Sequence, residues 1–183
     1  LALPRKAPAG ASAKAPMRRS ERELRDPAEI DAIIARCDCC RVGLRDGEEV
    51  YIVPMNFGYV HEGARRVFYF HSAAEGRKLR LIAQGAHAAF ELDCAHALME
   101  GDCACEYSFY YESVMGTGEI SPVTGEEERA LALETILHHY TPDARAAFDP
   151  KIFRATAILR LEVTQISAKG RTAREQEEAY EHI

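Results

Sequence analysis

Apolar positions along this chain change period several times, and each change marks an element. After Asp26-Pro27-Ala28-Glu29, Ile30, Ile33 and Ile34 recur at helical spacing, with Asp26 placed to cap and Pro27 at the first helical position. This helix is predicted to end near Cys37. Cys40, Val42 and Leu44 then alternate with polar or small residues, Asp46-Gly47 reads as a hairpin turn, and Val50 to Phe57 reads as the returning strand. Tyr59 and Val60 lead to a turn at Glu62-Gly63, and the aromatic, β-branched run Val67 to His71 reads as a buried strand. The small residues Ser72 to Gly76 turn the chain into a helix over Arg77 to Gln84, which Gly85 stops. Alternation resumes over Ala88 to Cys94, lapses in a loop from Ala95 to Ala104, and returns in a long strand, Glu106 to Ile120, with a bend expected at Gly116 or Gly118. Thr124-Gly125-Glu126-Glu127 reads as a capping box for a second long helix whose apolar face is Ala130, Leu133, Ile136, Leu137 and Tyr140, closed by Pro142. Asp143 to Arg154 is expected to be a loop with short helical turns. The last strand runs from Ala155 to Ser167, with Ala157, Leu159, Leu161 and Val163 inward.

About six strands with three or four helices between them result. Short turns between neighbouring strands imply an antiparallel sheet, and a closed or partly closed barrel protects its edges. The expected fold is mainly β with flanking helices. The 183 residues, 47 % of them hydrophobic, suit a single domain with tails. Residues 17–171 are taken as that domain. Residues 1–16, rich in Ala, Pro and Lys, read as a low-complexity extension, with Met17 as the natural start, and residues 172–183 as a charged tail with helical character. The extension lacks the apolar centre of a secretory signal, and no apolar run is long enough to span a bilayer. A cytoplasmic protein without a membrane partner is therefore expected.

A net charge of −6 argues against a nucleic-acid partner, which calls for a basic surface. The positive charge is local. Arg18, Arg19, Arg22 and Arg25 read as a solvated face, whereas Arg77, Lys78 and Arg80 suit a small anion such as one phosphate. Six cysteines fall in two groups, Cys37, Cys39, Cys40 and Cys94, Cys103, Cys105. They read as small apolar residues in a reducing cytoplasm rather than as metal or cluster ligands, and no metal site is expected.

Two segments carry candidate chemistry. In Phe70-His71-Ser72-Ala73-Ala74-Glu75-Gly76-Arg77-Lys78 a buried strand turns into a helix whose first turn holds two cations, against the macrodipole, a placement that makes sense with an anion bound there. A phosphate cradle and an ordinary strand–turn–helix joint both fit this spacing. In Val53-Pro54-Met55-Asn56-Phe57-Gly58 a strand proline marks an edge, a bulge or a ligand-facing bend, and Asn56 offers a donor and an acceptor to a flat heterocycle. His71 is a candidate proton donor, haem ligand or packed strand-end residue. His138 and His139 point different ways from a helix, and one of them is expected to be solvated. No G-x-S-x-G elbow or H-E-x-x-H pair occurs.

In order along the chain, Met17-Arg18-Arg19 with Asp26, Val53 to Tyr59, Phe70 to Ala73 with Gly76 and Lys78, Tyr111 to Gly118, and Ile166 to Gly170 resemble the pyridoxamine 5′-phosphate oxidase-like, FMN-binding split-barrel superfamily. Within it the chain is most similar to the nitroimidazole-resistance flavoproteins. The resemblance implies a six-stranded antiparallel split β-barrel and a homodimer with two FMN sites at its interface. It implies that Pro54, Met55, Asn56 and Phe57 lie along the flavin ring, with backbone groups and Asn56 near its polar edge. His71, Ser72, Ala73 and Lys78 would surround the phosphate, Ser113 would approach the flavin, and Lys169 would reach it, from the partner subunit if not from its own. The implied activity is reduction of a small molecule, of the nitroimidazole-reductase kind. A non-catalytic flavin- or haem-binding protein is the alternative.

Overall fold

The computed structural model describes residues 19–83, 85–145 and 147–171. The expectations for residues 1–16 and for the tail from Thr172 lie outside them. A 3-10 turn, Ser20–Arg22, precedes β1 (Glu23–Leu24), α1 (Pro27–Arg36), β2 (Cys40–Asp46), β3 (Glu49–Met55), β4 (Phe57–Glu62), β5 (Arg65–Ala73), α2 (Arg77–Ile82), β6 (Ala86–Met99), β7 (Ser108–Pro122), α3 (Glu126–Tyr140), α4 (Pro150–Ala155) and β8 (Thr156–Arg171).

The strands form one antiparallel sheet in the order β3-β2-β6-β7-β8-β5-β4, with the two-residue β1 added to β8. The expected split-barrel architecture holds, but the strand count is eight rather than six. The difference arises because the run expected as one strand, Val50 to Phe57, breaks at Asn56 and because β1 pairs locally. β3 and β4 stand at opposite ends of the strand order yet are separated by Asn56 alone. The sheet therefore curls until its two edges come together at that residue, without joining into a continuous ring of ladder bonds.

Alternation along β2, β5, β6, β7 and β8 turns Val42, Leu44, Phe68, Phe70, Phe90, Leu92, Val114, Leu159 and Leu161 into the barrel. Helix α1 adds Ile30, Ile33 and Ile34 to this core and α2 adds Ile82. Aromatic rings fill the centre, with Phe68 5.6 Å from Phe57 and 4.9 Å from Phe90. A second, smaller core lies outside the barrel wall, where Ala132 and Ile136 of α3 cover Val67, Tyr69 and Ile158. Asp26 caps α1 as expected, accepting from the Ala28 N–H. The expected Thr124 cap is not made: Gly125 is the N-cap of α3, without a side-chain bond. The bend expected near Gly116 and Gly118 is a register shift between Thr117 and Gly118 in the β7–β8 ladder.

The solvent side of α1 is tied to β4 and β5 by a polar cluster. Tyr59 donates its hydroxyl to Asp31 Oδ1 at 2.7 Å, His61 Nδ1 meets Asp31 Oδ2 at 2.6 Å, and Arg66 Nε donates to the Tyr59 hydroxyl at 2.9 Å. Burial pushes the Asp31 carboxyl up, but the hydrogen bonds from His61 and Tyr59, helped by Arg66, outweigh it and hold its pKa below the ordinary value. A depressed folded pKa stabilises the fold above the unfolded pKa of about 4, and this contribution fades as pH falls through the folded value. Asp31→Asn is therefore expected to melt lower than wild type at pH 7 and to lose less on acidification. Thermal melts of both proteins at pH 7 and about pH 3 check this; equal acid losses would contradict it.

Candidate functional site

Of the site residues expected from the sequence, Pro54, Met55, Phe57 and His71 flank the seam at Asn56, whereas Ser113 and Lys169 lie on strands farther along the sheet. Pro54 lies in β3, an edge strand paired only with β2, where a missing N–H costs no second ladder bond. Its ring is exposed. Met55 and Phe57 turn their side chains into the core, so on the open side they offer only backbone. Asn56 is exposed between them, and its amide bonds to no described residue.

This bend is clamped from behind by the last turn of α3. The Phe57 N–H donates to the Tyr140 hydroxyl at 3.1 Å, and that hydroxyl donates to the Asp38 carbonyl at 2.8 Å. His139 donates from Nε2 to the Cys37 carbonyl at 2.8 Å, with its ring centre 4.2 Å from that of Phe57. His138 is the exposed member of the pair. Sequence reading missed the clamp because its acceptors are backbone atoms about a hundred residues away. Tyr140→Phe leaves the Phe57 N–H without its partner, and a loss of about 1 kcal/mol is expected. A denaturant melt measures it, and an unchanged midpoint would show that water replaces the hydroxyl.

The register Phe57↔Phe70 brings His71 level with Asn56, so the two candidate segments are neighbours. Strand alternation then parts His71 from Ser72. Ser72 is buried and donates Oγ to the Ala73 carbonyl at 3.0 Å, while His71 and Ala73 face outward and are exposed. Helix α2 starts at Gly76, whose φ of +126° suits only glycine, and no side chain caps its first turn.

The two cations of that turn have different fates. Arg77 is committed to the β2–β3 hairpin, with Nε on Asp46 at 2.7 Å, Nη2 on Glu49 at 2.8 Å, and its guanidinium 4.7 Å over the Tyr51 ring. Lys78, half-buried, pairs with no carboxylate among the described residues. A cavity of about 790 Å³ is lined by Ala74, Glu75, Gly76, Leu79 and Arg80 of the turn and helix, with Ala83 and Pro122, and neither Arg77 nor Lys78 lines it.

Ser113 and Lys169 are direct cross-strand partners in β7 and β8, and Ser113 Oγ lies 3.5 Å from the Lys169 carbonyl. They share the sheet's outward face with Pro54. On this face one cross-strand row runs Pro54, Arg41, Glu91, Met115, Ser167, and the next runs Ile52, Gly43, Ala89, Thr117, Gln165. Pro54 and Met115 thus stand three strand spacings, about 14 Å, apart within one chain. The small residues Gly43 and Ala89 leave the middle of the second row shallow, and Val50, Ile52 and Met115 around it are 73 %, 62 % and 48 % exposed. Among the described residues no three His, Cys, Asp or Glu side chains gather to hold a metal ion, and no helix is long and apolar enough to cross a membrane.

Residues 26–170 match the family described as pyridoxamine 5′-phosphate oxidase. No curated protein matches the sequence. Among solved structures, a Bacteroides thetaiotaomicron protein named for 5-nitroimidazole antibiotic resistance is 30 % identical, with 81 % of this chain and 86 % of that one covered at a TM-score of 0.70. The Azotobacter vinelandii flavocytochrome (19 % identity, 86 % and 72 % covered, TM-score 0.72) and a Mycobacterium smegmatis protein that binds FAD and haem (21 %, 86 % and 80 %, 0.70) share the fold.

Proposed function

Because the chain belongs to the pyridoxamine 5′-phosphate oxidase family, we propose that it is a flavoprotein that holds FMN at a homodimer interface and reduces a small molecule. The observation that carries this reading is Lys78, a cation without a carboxylate partner among the described residues, in the first turn of an uncapped helix that follows the strand whose His71 is level with Asn56. Helix α2 has only six residues, so its macrodipole counts for little and the ammonium group does most of the anchoring. Gly76 and Ala73 let a phosphate approach the backbone closely.

The donor set fits a flavin in a second respect. The outward face offers a shallow floor at Gly43 and Ala89, bounded by Ile52 and by the row Pro54, Arg41, Glu91, Met115, that suits a flat ring with polar edges. A second copy laid on this face would bury the exposed Val50, Ile52 and Met115 and exclude water. Ser113 and Lys169 lie on the same face, where a subunit facing its partner's Pro54 bend can present them. When bound, the flavin supplies the hydride and single-electron chemistry that side chains lack. The chain's part is to anchor the phosphate through Lys78, to meet the ring edge with Asn56, and to place the exposed His71 near the bend as a proton donor. The name of the 30 % identical relative supports nitroaromatic compounds as acceptors. Six free thiols accord with a reducing cytoplasm.

A haem or non-catalytic flavin carrier is the second reading, favoured by the haem in the name of one structural relative and by the exposed His71, which bonds to no described residue. The absorption spectrum of the purified protein, with chromatography of the released group, separates the readings. Paired near-ultraviolet and blue bands with FMN released support the first, and an intense Soret band supports the second. NAD(P)H oxidation with a panel of nitroaromatic acceptors then tests the activity.

A further inference from the structure

The proposed flavin site uses none of the six thiols, yet two of them meet beneath α1. Cys37 closes that helix and is 1 % exposed, and its Sγ donates to the Ile33 carbonyl at 3.3 Å. Cys94 of β6 brings its own Sγ to the same oxygen at 4.0 Å. The two sulfurs share this acceptor, and burial first, and Cys94 next, push the Cys37 thiol up. Cys94 is the accessible member. It lines a cavity of about 380 Å³ together with Arg36, Asp38, Cys39, Arg41, Asp93 and His96. Arg36, which pairs with Glu112, also interacts with the Cys94 sulfur, which itself lies 4.0 Å from Glu112 Oε2.

The backbone at Cys94 is adaptable. The β6–β7 register shifts between Cys94 and Ala97, and Ala95 has a φ of +57°, the one positive value found at a non-glycine among the described residues. A disulfide requires the two Cβ atoms to come within roughly 4 Å, and the bulge directly after Cys94 gives its backbone room to move toward Cys37. Cys94 lies on the α1 side of the sheet, away from the outward face.

We propose that Cys94 and Cys37 form a hydroperoxide-responsive thiol pair. The Cys94 thiolate attacks one oxygen of the hydroperoxide. An S–O bond forms, the O–O bond breaks, and the released hydroxide or alkoxide takes up a proton. The Cys37 sulfur then attacks the Cys94 sulfur. An S–S bond forms, the S–O bond breaks, and the hydroxyl leaves as water with the proton from Cys37. The thiol pair loses two electrons, and the peroxide gains them. A dithiol reductant reverses the change. The crosslink joins the end of α1 to β6 at Cys37, whose carbonyl is held by His139 of the clamp.

The test uses hydrogen peroxide as probe. Cys37, Cys39 and Cys40 fall on one tryptic peptide, and Cys94, Cys103 and Cys105 on another, so Cys39, Cys103 and Cys105 are first replaced by serine. The reduced protein is treated with equimolar peroxide, alkylated, digested and weighed. The expected product is a Cys37–Cys94 linked peptide, two hydrogens lighter than its parts and undone by dithiothreitol. Cys94→Ser abolishes it, and Cys37→Ser halts at a Cys94 sulfenic acid that dimedone traps. The native chain, read by fragment ions, provides the same readout without the serine replacements. A Cys94 that stays reduced, or one that links to Cys39 or Cys40 instead, overturns the proposal.

Discussion

Replacing Lys78 by alanine is expected to weaken FMN binding by about ten- to a hundredfold, because a charge-assisted hydrogen bond contributes about 1.5–3 kcal/mol and each 1.4 kcal/mol is a factor of ten. The fold should survive the change, since Lys78 is only half-buried and bonds to no described side chain. Arg77→Ala is the matched control. That guanidinium already serves Asp46, Glu49 and the Tyr51 ring, so its loss should act on the β2–β3 hairpin more than on the ligand. Quenching of flavin fluorescence on titration with apoprotein reads both variants. If Arg77→Ala weakens FMN and Lys78→Ala does not, the two cations have been given the wrong roles.

Gly58→Val is expected to damage the fold severely. A Cβ at Gly58 would stand 2.6 Å from the Ile136 nitrogen and 2.6 Å from the Thr135 carbonyl carbon. These are backbone atoms of α3 and cannot swing aside. The helix must lift from β4, opening the small core around Ala132 and Ile136 and pulling His139 and Tyr140 off the Asn56 bend. Overpacking of a rigid contact costs about 1–3 kcal/mol, and loss of the clamp adds to it, so a fall in melting temperature of at least several degrees is expected. Gly58→Ala should lie between wild type and valine. A Gly58→Val protein that melts like wild type would mean that α3 is not held against β4 at this distance.

Much of this architecture is legible locally. Asp26 and Pro27 announce α1, Asp46-Gly47 the β2–β3 hairpin, and the closely spaced Gly116 and Gly118 the irregularity in β7. What escapes local reading is which strand lies next to which. Alternation runs almost unbroken from Val50 to Val60, and nothing in it says that the first half pairs with β2 and the second with β5; the break at Asn56 follows from closing the sheet. Ala95 to Met99 lacks strand-forming residues and reads as loop, yet β6 continues through a bulge because β7 is there to pair with it. Arg77 and Lys78 are indistinguishable as neighbours in sequence, and tertiary structure separates them by bringing Asp46 and Glu49 to only one of them. Ser113 and Lys169 entered through family resemblance alone, and the register that makes them cross-strand partners is not encoded in either segment.

All of the proposed chemistry depends on an esterified phosphate docking beside Lys78, and calorimetric titration of the apoprotein with FMN and with riboflavin tests this most directly. The two share a ring and differ by the phosphate. The account predicts that FMN binds at least about a hundredfold more tightly, as two or more charge-assisted bonds require. Equal affinities for the two would contradict it.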